Sequence, residues 1–331
     1  MTSDTPFLRG IHRLAVLLAG YVVLLITAGG LVKSLEAGLS VPDWPLSYGM
    51  LNPPRWWEIE TVRAEHGHRL IAGTVLLLTL WLVIWIVRRE PRKWVKGVAL
   101  TAFAAVLAQA ALGGITVLFF LPTAISVSHA GLAQLFLCLL VVLAVATSRR
   151  WVSDRGPTDP ATRADRIVSL ATATSVVIYL QILLGAVMRH TGAGLAIPDF
   201  PLAFGGLIPP KLDFAIGIHF AHRLGALAAA TLIFWTLGRT LRFASRERAL
   251  VVPTCLLVLM VLVQGTLGGM VVLTSRAVLP NTLHVGGGAL LLALSMTLTL
   301  LTRRLDWVAR QEGVVPEVEA VGVHRLEQAV S

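Results

Sequence analysis

Long runs of apolar residues, separated by polar connections, make up most of the chain. A helix needs about 20 such residues to cross a bilayer, and eight runs have approximately this length. They lie at 13–33, 66–87, 97–119, 125–147, 167–188, 216–238, 250–273 and 281–302. The pattern predicts an all-α polytopic membrane protein with eight transmembrane helices.

The composition excludes the soluble, disordered and disulfide-rich secreted classes. Hydrophobic residues make up 56% of the 331 positions and charged residues only 14%, whereas a soluble domain carries about a quarter charged residues. The two cysteines, Cys138 and Cys255, fall inside apolar runs. We expect both to be packed there without forming a disulfide.

The net charge of +10 is divided unevenly between the two sides of the predicted membrane. Twenty of the 28 lysines and arginines fall near the chain ends and in the connections 88–96, 148–166 and 239–249. The positive-inside rule places these segments and both termini in the cytoplasm, for an integral protein of the bacterial cell (inner) membrane. The basic surplus therefore reflects topology and gives no support for nucleic-acid binding.

The two halves of the chain are a tandem repeat. The segment GLSVPDWPL at 38–46 returns 156 residues later as GLAIPDFPL, and QAALGG at 109–114 returns as QGTLGG at 264–269. Each half contains four spans, so both enter the membrane in the same orientation. We expect two tandem four-helix bundles, residues 1–150 and 151–305, related by a pseudo-twofold axis. The cytoplasmic tail, 306–331, is predicted to be disordered.

Four histidines lie at one depth near the outer membrane surface. An arginine closes each of their helices 17 to 20 residues later, which corresponds to roughly 26–30 Å. They are His68, His129, His222 and His284, in the second, fourth, sixth and eighth spans. Ionisable side chains inside transmembrane segments are costly and usually functional.

Two inward-facing histidines at equal depth in a helical bundle suit axial ligation of a haem iron. Arg69 and Arg223, each next to a candidate ligand, are placed to pair with haem propionates. A purely structural role, in which the histidines bond to backbone carbonyls, is the alternative. Zinc is disfavoured because the outer segments lack a cluster of thiolate or carboxylate ligands. We expect His66 and His190 to be surface residues.

One carboxylate distinguishes the halves. Glu65 precedes His68 by one helical turn, whereas His219 occupies the corresponding place in the second half. This difference predicts that one bundle carries out chemistry while the other holds a resident haem for electron transfer. The alternative is that Glu65 only interacts favourably with the dipole at the helix N-terminus.

In this combination of features the chain resembles the heme A synthases, over residues 10–305. The features are the two repeated halves, the motif GLSVPDWPL, the Glu65-x-x-His68 spacing and the three further histidines. The resemblance implies an oxidoreductase that oxidises one ring methyl of haem O to a formyl group. The product, haem A, is the cofactor of haem–copper cytochrome oxidases.

The resemblance also implies roles for individual residues. His222 and His284 would ligate a resident haem b, whereas His68 and His129 would face the substrate haem O. Glu65 would be the acidic residue required for catalysis. Many bacterial members carry two cysteines in the first outer loop, but this chain has Val41 and Ser47 at those positions, so a thiol-dependent role of the loop is absent.

The predicted partners are haem O and its synthase, a membrane electron acceptor such as a quinone, and cytochrome oxidase assembly factors. The sequence leaves the oligomeric state open. Two other functions stay as alternatives. A diheme b-type cytochrome would only transfer electrons between a quinone and an outer partner, and a haem carrier would move haem without changing it.

Overall fold

The structure, a computed structural model, describes residues 7–153, 156–159 and 161–311. This part of the chain is built of α-helices, with one 3₁₀ turn and two isolated β-bridges, so the all-α prediction is confirmed. The helices are α1 (Arg9–Ser34), α2 (Glu60–Arg89), α3 (Lys93–Leu118), α4 (Thr123–Ala146), α5 (Arg149–Val152), α6 (Asp165–His190), α7 (Phe214–Phe243), α8 (Arg248–Leu273) and α9 (Val278–Gln311).

Eight of the described helices, all except the short α5, are long and apolar enough to cross a membrane, as predicted. The largest difference from the predicted spans is in α9, which continues to Gln311. Leu305, Val308 and Ala309 are buried there at helical spacing, so packing on the rest of the protein keeps this polar segment helical. Residues 306–311 are therefore helical although the sequence predicted a disordered tail, and 312–331 lie outside the described residues.

The transmembrane helices pack as two sets of four. In the first set α1 contacts α2 and α4, while α3 contacts the same two helices; in the second set α6 and α8 each contact α7 and α9. The sets meet where α9 contacts α1 and α4, and where α4 contacts α6. These contacts agree with two tandem bundles, whereas the pseudo-twofold axis stays a prediction.

Apolar side chains fill the centre of each set. Leu18, Leu82 and Leu140 are among the fully buried residues of the first core, and Ile233 and Leu292 lie in the second. Because lipid is as apolar as these side chains, the cores gain from close packing more than from exclusion of water.

A polar contact joins the two sets at their outer ends. Arg189 at the end of α6 donates to the carbonyl of Gly30 and to Ser34 Oγ on α1, both at 2.9 Å. Thr282 of α9 donates to the same Ser34 hydroxyl at 3.1 Å. Three helices from both halves are thus tied together near the predicted outer membrane surface.

An aspartate organises each outer loop. The carboxylate of Asp43 accepts the backbone N–H groups of Tyr48 and Gly49, both at 2.7 Å. Asp199 accepts the two equivalent groups of its own loop at 2.7 and 2.8 Å. In each loop the pKa of the aspartate carboxyl is below its usual value, mainly because the glycine N–H donates to the carboxylate. The aspartate of the repeated motif therefore has a structural function in both loops.

Candidate functional site

Each of the four histidine rings lies against a glycine of the preceding transmembrane helix. The four pairs, with the distance from the ideal Cβ position of the glycine to the nearest ring atom, are Gly29–His68 (3.2 Å), Gly113–His129 (3.2 Å), Gly185–His222 (2.8 Å) and Gly268–His284 (3.3 Å). Any larger residue would have to displace the ring. The glycines therefore let each imidazole lie against a neighbouring helix backbone.

In the second half the structure brings His222 and His284 together. Their ring centroids lie 6.5 Å apart and the ring planes are inclined by 77°. A metal–imidazole bond is about 2 Å long, and the ring centroid is roughly 1 Å further, so two rings that share one metal ion have centroids roughly 6 Å apart. The observed spacing fits two axial ligands of one haem iron.

Glutamines hold both of these histidines. Gln181 Nε2 donates to the carbonyl of His222 at 2.7 Å and lies 3.0 Å from its ring Nδ1. With its amide nitrogen directed at α9, Gln264 donates to the carbonyl of His284 at 3.1 Å and lies 2.8 Å from Nδ1. The bonds to the two carbonyls fix the backbone of α7 and α9 at the histidines. Sequence comparison of the halves identifies Gln264, but it misses Gln181 because Leu25 occupies the equivalent position.

The first half holds its histidines less firmly. His68 and His129 are close enough to interact electrostatically. Gln109 Nε2 donates to the carbonyl of His129 at 2.9 Å. However, Nδ1 of that ring is buried and has no hydrogen-bond partner among the described residues. Such an orphaned polar atom is costly without a ligand, so this site also fits a bound polar group.

Glu65 is buried beneath the first outer loop. Its side chain is only 5% exposed. Oε1 accepts a hydrogen bond from Arg69 Nη2 at 2.6 Å, and Oε2 accepts one from the backbone N–H of Val41 at 2.8 Å. In the second half the equivalent N–H, that of Ile197, donates to Nδ1 of the buried His219 at 3.3 Å. The two residues thus make the same loop attachment, but only Glu65 carries a negative charge.

The predicted propionate partners bind the outer loops. Arg69 donates to the backbone carbonyls of Asp43, Leu46 and Val41 at 2.6 to 2.9 Å. Arg223 donates to the equivalent three carbonyls of the second loop at 2.6 to 3.3 Å. Both arginines therefore attach a loop to a helix, and their pairing with propionates stays a prediction.

The loop aromatic residues explain the second glycine of each Gly-Gly pair. An ideal Cβ on Gly114 would lie 2.6 Å from the Trp44 ring, and one on Gly269 would lie 2.7 Å from the Phe200 ring. The first glycine of each pair contacts a histidine ring, and the second contacts the aromatic ring of the outer loop. Each pair therefore joins the candidate haem site to its covering loop.

The surface prediction for His66 is wrong. Its side chain is buried, its Nδ1 lies 2.9 Å from Ser47 Oγ, and its ring contacts the Trp56 ring at a centroid distance of 4.9 Å. The loop folds back over the face of α2 opposite His68, which the helical period alone could not predict. His190 is half-buried at the end of α6.

The cysteines are both free, as expected, but only one is packed. Cys138 is half-buried against the core of the second set, whereas Cys255 is exposed on α8. The packing prediction is therefore wrong for Cys255, which lies on the outside of its bundle.

Residues 12–296 match the family model COX15-CtaA, described as a cytochrome oxidase assembly protein. The chain belongs to this family. A heme A synthase of Symbiobacterium thermophilum is 33% identical over 68% of this chain and 75% of its own length. A heme A synthase of Shouchella clausii is 33% identical over 88% of this chain and 95% of its own, and one of Halalkalibacterium halodurans is 31% identical over 80% and 87%. The resemblance identified from the motifs is confirmed, and neither alternative function is favoured.

In this member of the COX15-CtaA family, the two loop positions that lack cysteine have other contacts. The N–H of Val41 binds Glu65, and the hydroxyl of Ser47 binds His66. Both residues are buried. The loop is therefore attached to α2 by hydrogen bonds at the positions where a cysteine pair was expected for many members.

Proposed function

We propose that this chain acts as a heme A synthase, an oxidoreductase that converts a ring methyl of haem O into the formyl group of haem A. The observation that carries the proposal is a pair of glycine-supported histidines in each half, with a buried carboxylate one helical turn before the first histidine in the first half and a buried histidine, His219, at that place in the second. The family and three similar heme A synthases support the same activity. A protein that only transferred electrons would not need this difference between the halves.

The second half, residues 151–305, would hold the resident haem b between His222 and His284. When bound, the iron porphyrin supplies redox chemistry that side chains lack. Gln181 and Gln264, through their bonds to the carbonyls of His222 and His284, would hold α7 and α9 in place on either side of the cofactor.

The first half, residues 1–150, would receive haem O between His68 and His129. Formation of a formyl group from a methyl and one water releases four protons and four electrons. Glu65, one turn from His68, would accept a proton or orient the water. Arg69 would keep the carboxylate in place through the ion pair at 2.6 Å. The outer loop, seated by Trp44 on Gly114, would exclude bulk water.

The electrons require an acceptor, which we propose to be a membrane carrier such as a quinone. Haem O would come from the haem O synthase, and haem A would pass to cytochrome oxidase assembly factors. The distribution of lysine and arginine supports insertion in the bacterial inner membrane with both termini in the cytoplasm.

The test is to express the full chain in a bacterium that makes haem O but has no heme A synthase of its own. Extracted haems are separated by chromatography, and pyridine haemochromes are recorded. We expect haem A in cells with this chain and none in cells with an empty vector. Two firmly bound haem b groups without haem A would instead identify a diheme cytochrome, and haem O bound but unchanged would identify a carrier.

A further inference from the structure

The outer ends of the two halves differ in charge at equivalent positions. The turn between α3 and α4 contains Phe120 and Leu121, with φ angles of 57° and 59°. The turn between α8 and α9 contains Ser275 and Arg276, 155 residues later, with φ angles of 51° and 67°. Because the backbone is the same, Arg276 occupies the place of Leu121.

The two halves also differ in the charged residues at other equivalent positions of their outer ends. In the first half these positions hold the cations Lys33 and Arg69 and the carboxylates Glu36 and Glu65, and Glu65 forms an ion pair with Arg69. In the second half the corresponding places hold Arg189 and Arg223, together with Gly192 and His219 in place of the carboxylates. With Arg276 added, the second half has three cations and no carboxylate at these positions, whereas the first half is balanced.

Arg189 lies close to the candidate cofactor. Its guanidinium and the hydroxyl of Thr282, two residues before His284, both bond to Ser34 Oγ. Arg189 is also near enough to interact electrostatically with Arg276. Its Nη2 donates to two oxygens of α1, which leaves Nε and Nη1 for another acceptor. In the part of the chain that the structure describes, neither Arg189 nor Arg276 has a carboxylate within salt-bridge distance.

Two neighbouring guanidinium groups repel each other in a medium of low dielectric constant. A planar carboxylate compensates this repulsion, because guanidinium binds it through paired, charge-assisted hydrogen bonds. A haem carries two such carboxylates on one edge, which would face the outer surface when its iron lies between His222 and His284.

We propose that Arg189 and Arg276 bind the carboxylates of the cofactor in the second half, and that the balanced charges of the first half hold its haem more weakly. The inference rests on the proposed function. Both halves have two histidines that lie against glycines, so the histidines alone do not distinguish a resident haem from a substrate. The difference in charge explains how the haem of the second half stays bound while haem O enters the first half and haem A leaves it.

The chain supplies a matched pair of substitutions for the test. Arg276→Leu gives the second half the residue of the first, and Leu121→Arg does the reverse. The backbone of the turn is the same with either residue, and Leu121→Arg also removes the contact of Leu121 with Gly38 of the first loop. Arg248→Leu, at the start of α8 on the opposite side of the membrane, is the control for total charge. The full chain in detergent is loaded with ferric haem b, and transfer to excess apomyoglobin is followed by absorbance.

We expect two phases, with the fast phase absent in a His68→Ala variant. Arg276→Leu should accelerate the slow phase roughly tenfold and lower the reduction potential of that haem, because a nearby cation favours the reduced state. Leu121→Arg should slow the fast phase, and Arg248→Leu should change neither. An unchanged slow phase and potential in Arg276→Leu would overturn the inference while leaving the proposed activity intact. Absence of haem from the wild-type second half would overturn both.

Discussion

Oε2 of Glu65 accepts the backbone N–H of Val41 at 2.8 Å, and this bond attaches the first outer loop to α2. The second half makes the same attachment with a histidine, His219, which accepts the N–H of Ile197. Attachment of the loop is therefore common to both halves, whereas the negative charge is confined to the first. A structural and a chemical role of Glu65 can be separated by substitution.

Glu65→Gln removes the charge but keeps the size and a hydrogen-bond acceptor. We expect the variant to fold, to retain haem b in the second half, and to accumulate haem O or a partly oxidised intermediate. Turnover should fall by about 10²-fold or more, the usual contribution of a positioned acid or base. Chromatography of the extracted haems measures this result.

Two further variants serve as controls for the Glu65→Gln experiment. Glu65→His copies the loop attachment of the second half without the carboxylate, and it should be as inactive as Glu65→Gln. Glu58→Gln removes an exposed carboxylate from the end of the same loop and should remain active. A normal yield of haem A from Glu65→Gln would exclude Glu65 from the mechanism.

His222→Ala or His284→Ala should each abolish the low-spin haem b spectrum, because the two rings would supply both axial bonds to one iron. Reduced-minus-oxidised spectra of the purified protein measure this effect. His12→Ala, near the end of α1 that is predicted to be cytoplasmic, is the control, since its ring hydrogen-bonds to the carbonyl of Ala144 and contacts the Phe7 ring. An unchanged spectrum in either ligand variant would show that the ligand assignment is wrong.

Gly185→Ala tests the support beneath His222. The new methyl group would lie 2.8 Å from the ring, so the ring must move and the haem b content should fall. Gly217→Ala in α7 meets nothing within 4 Å, and it should keep the haem and stabilise the helix by about 0.4–1 kcal/mol. Equal haem content in the two variants would mean that the glycine contact does not position the ring.

The sequence predicted the parts of the site that depend on periodicity and repetition. Apolar runs gave the eight spans, and the counts to the closing arginines put the four histidines at one depth. Internal comparison also identified Gly113 and Gly268, although not their contact with the rings. Gly29 and Gly185 recur at the motif's own offset of 156 residues, so the same comparison could have found them.

Contacts made by the outer loops could not be predicted in this way. The burial of His66 depends on a loop that folds back over α2, and the binding of Arg69 to loop carbonyls depends on the path of that loop. Loop paths are set by turns and local hydrogen bonds rather than by a period. The helical end of α9 was missed for a related reason, since its burial comes from tertiary packing.

Asp43 and Asp199 should make the outer loops sensitive to acid. Glycine N–H groups lower the pKa of each carboxyl from its ordinary value of 3.8. A carboxyl whose pKa is lower in the folded loop than in the open loop stabilises the loop above that ordinary value. This contribution is lost as the pH falls through the lowered pKa. Amide hydrogen exchange of residues 43–50 and 199–206, expressed as protection relative to intrinsic exchange, should therefore decrease below about pH 4.

The repeat provides the control for this last prediction. Asp43→Asn removes the charge, so the first loop should lose protection already at neutral pH and show little further change on acidification. The second loop of the same molecule should keep its full pH dependence, and Asp199→Asn should give the reverse pattern. If both loops of Asp43→Asn lose protection together, acid acts through the whole fold rather than through each aspartate. If neither loop changes between about pH 6 and about pH 3, across the ordinary value of 3.8, the carboxylates do not hold the turns.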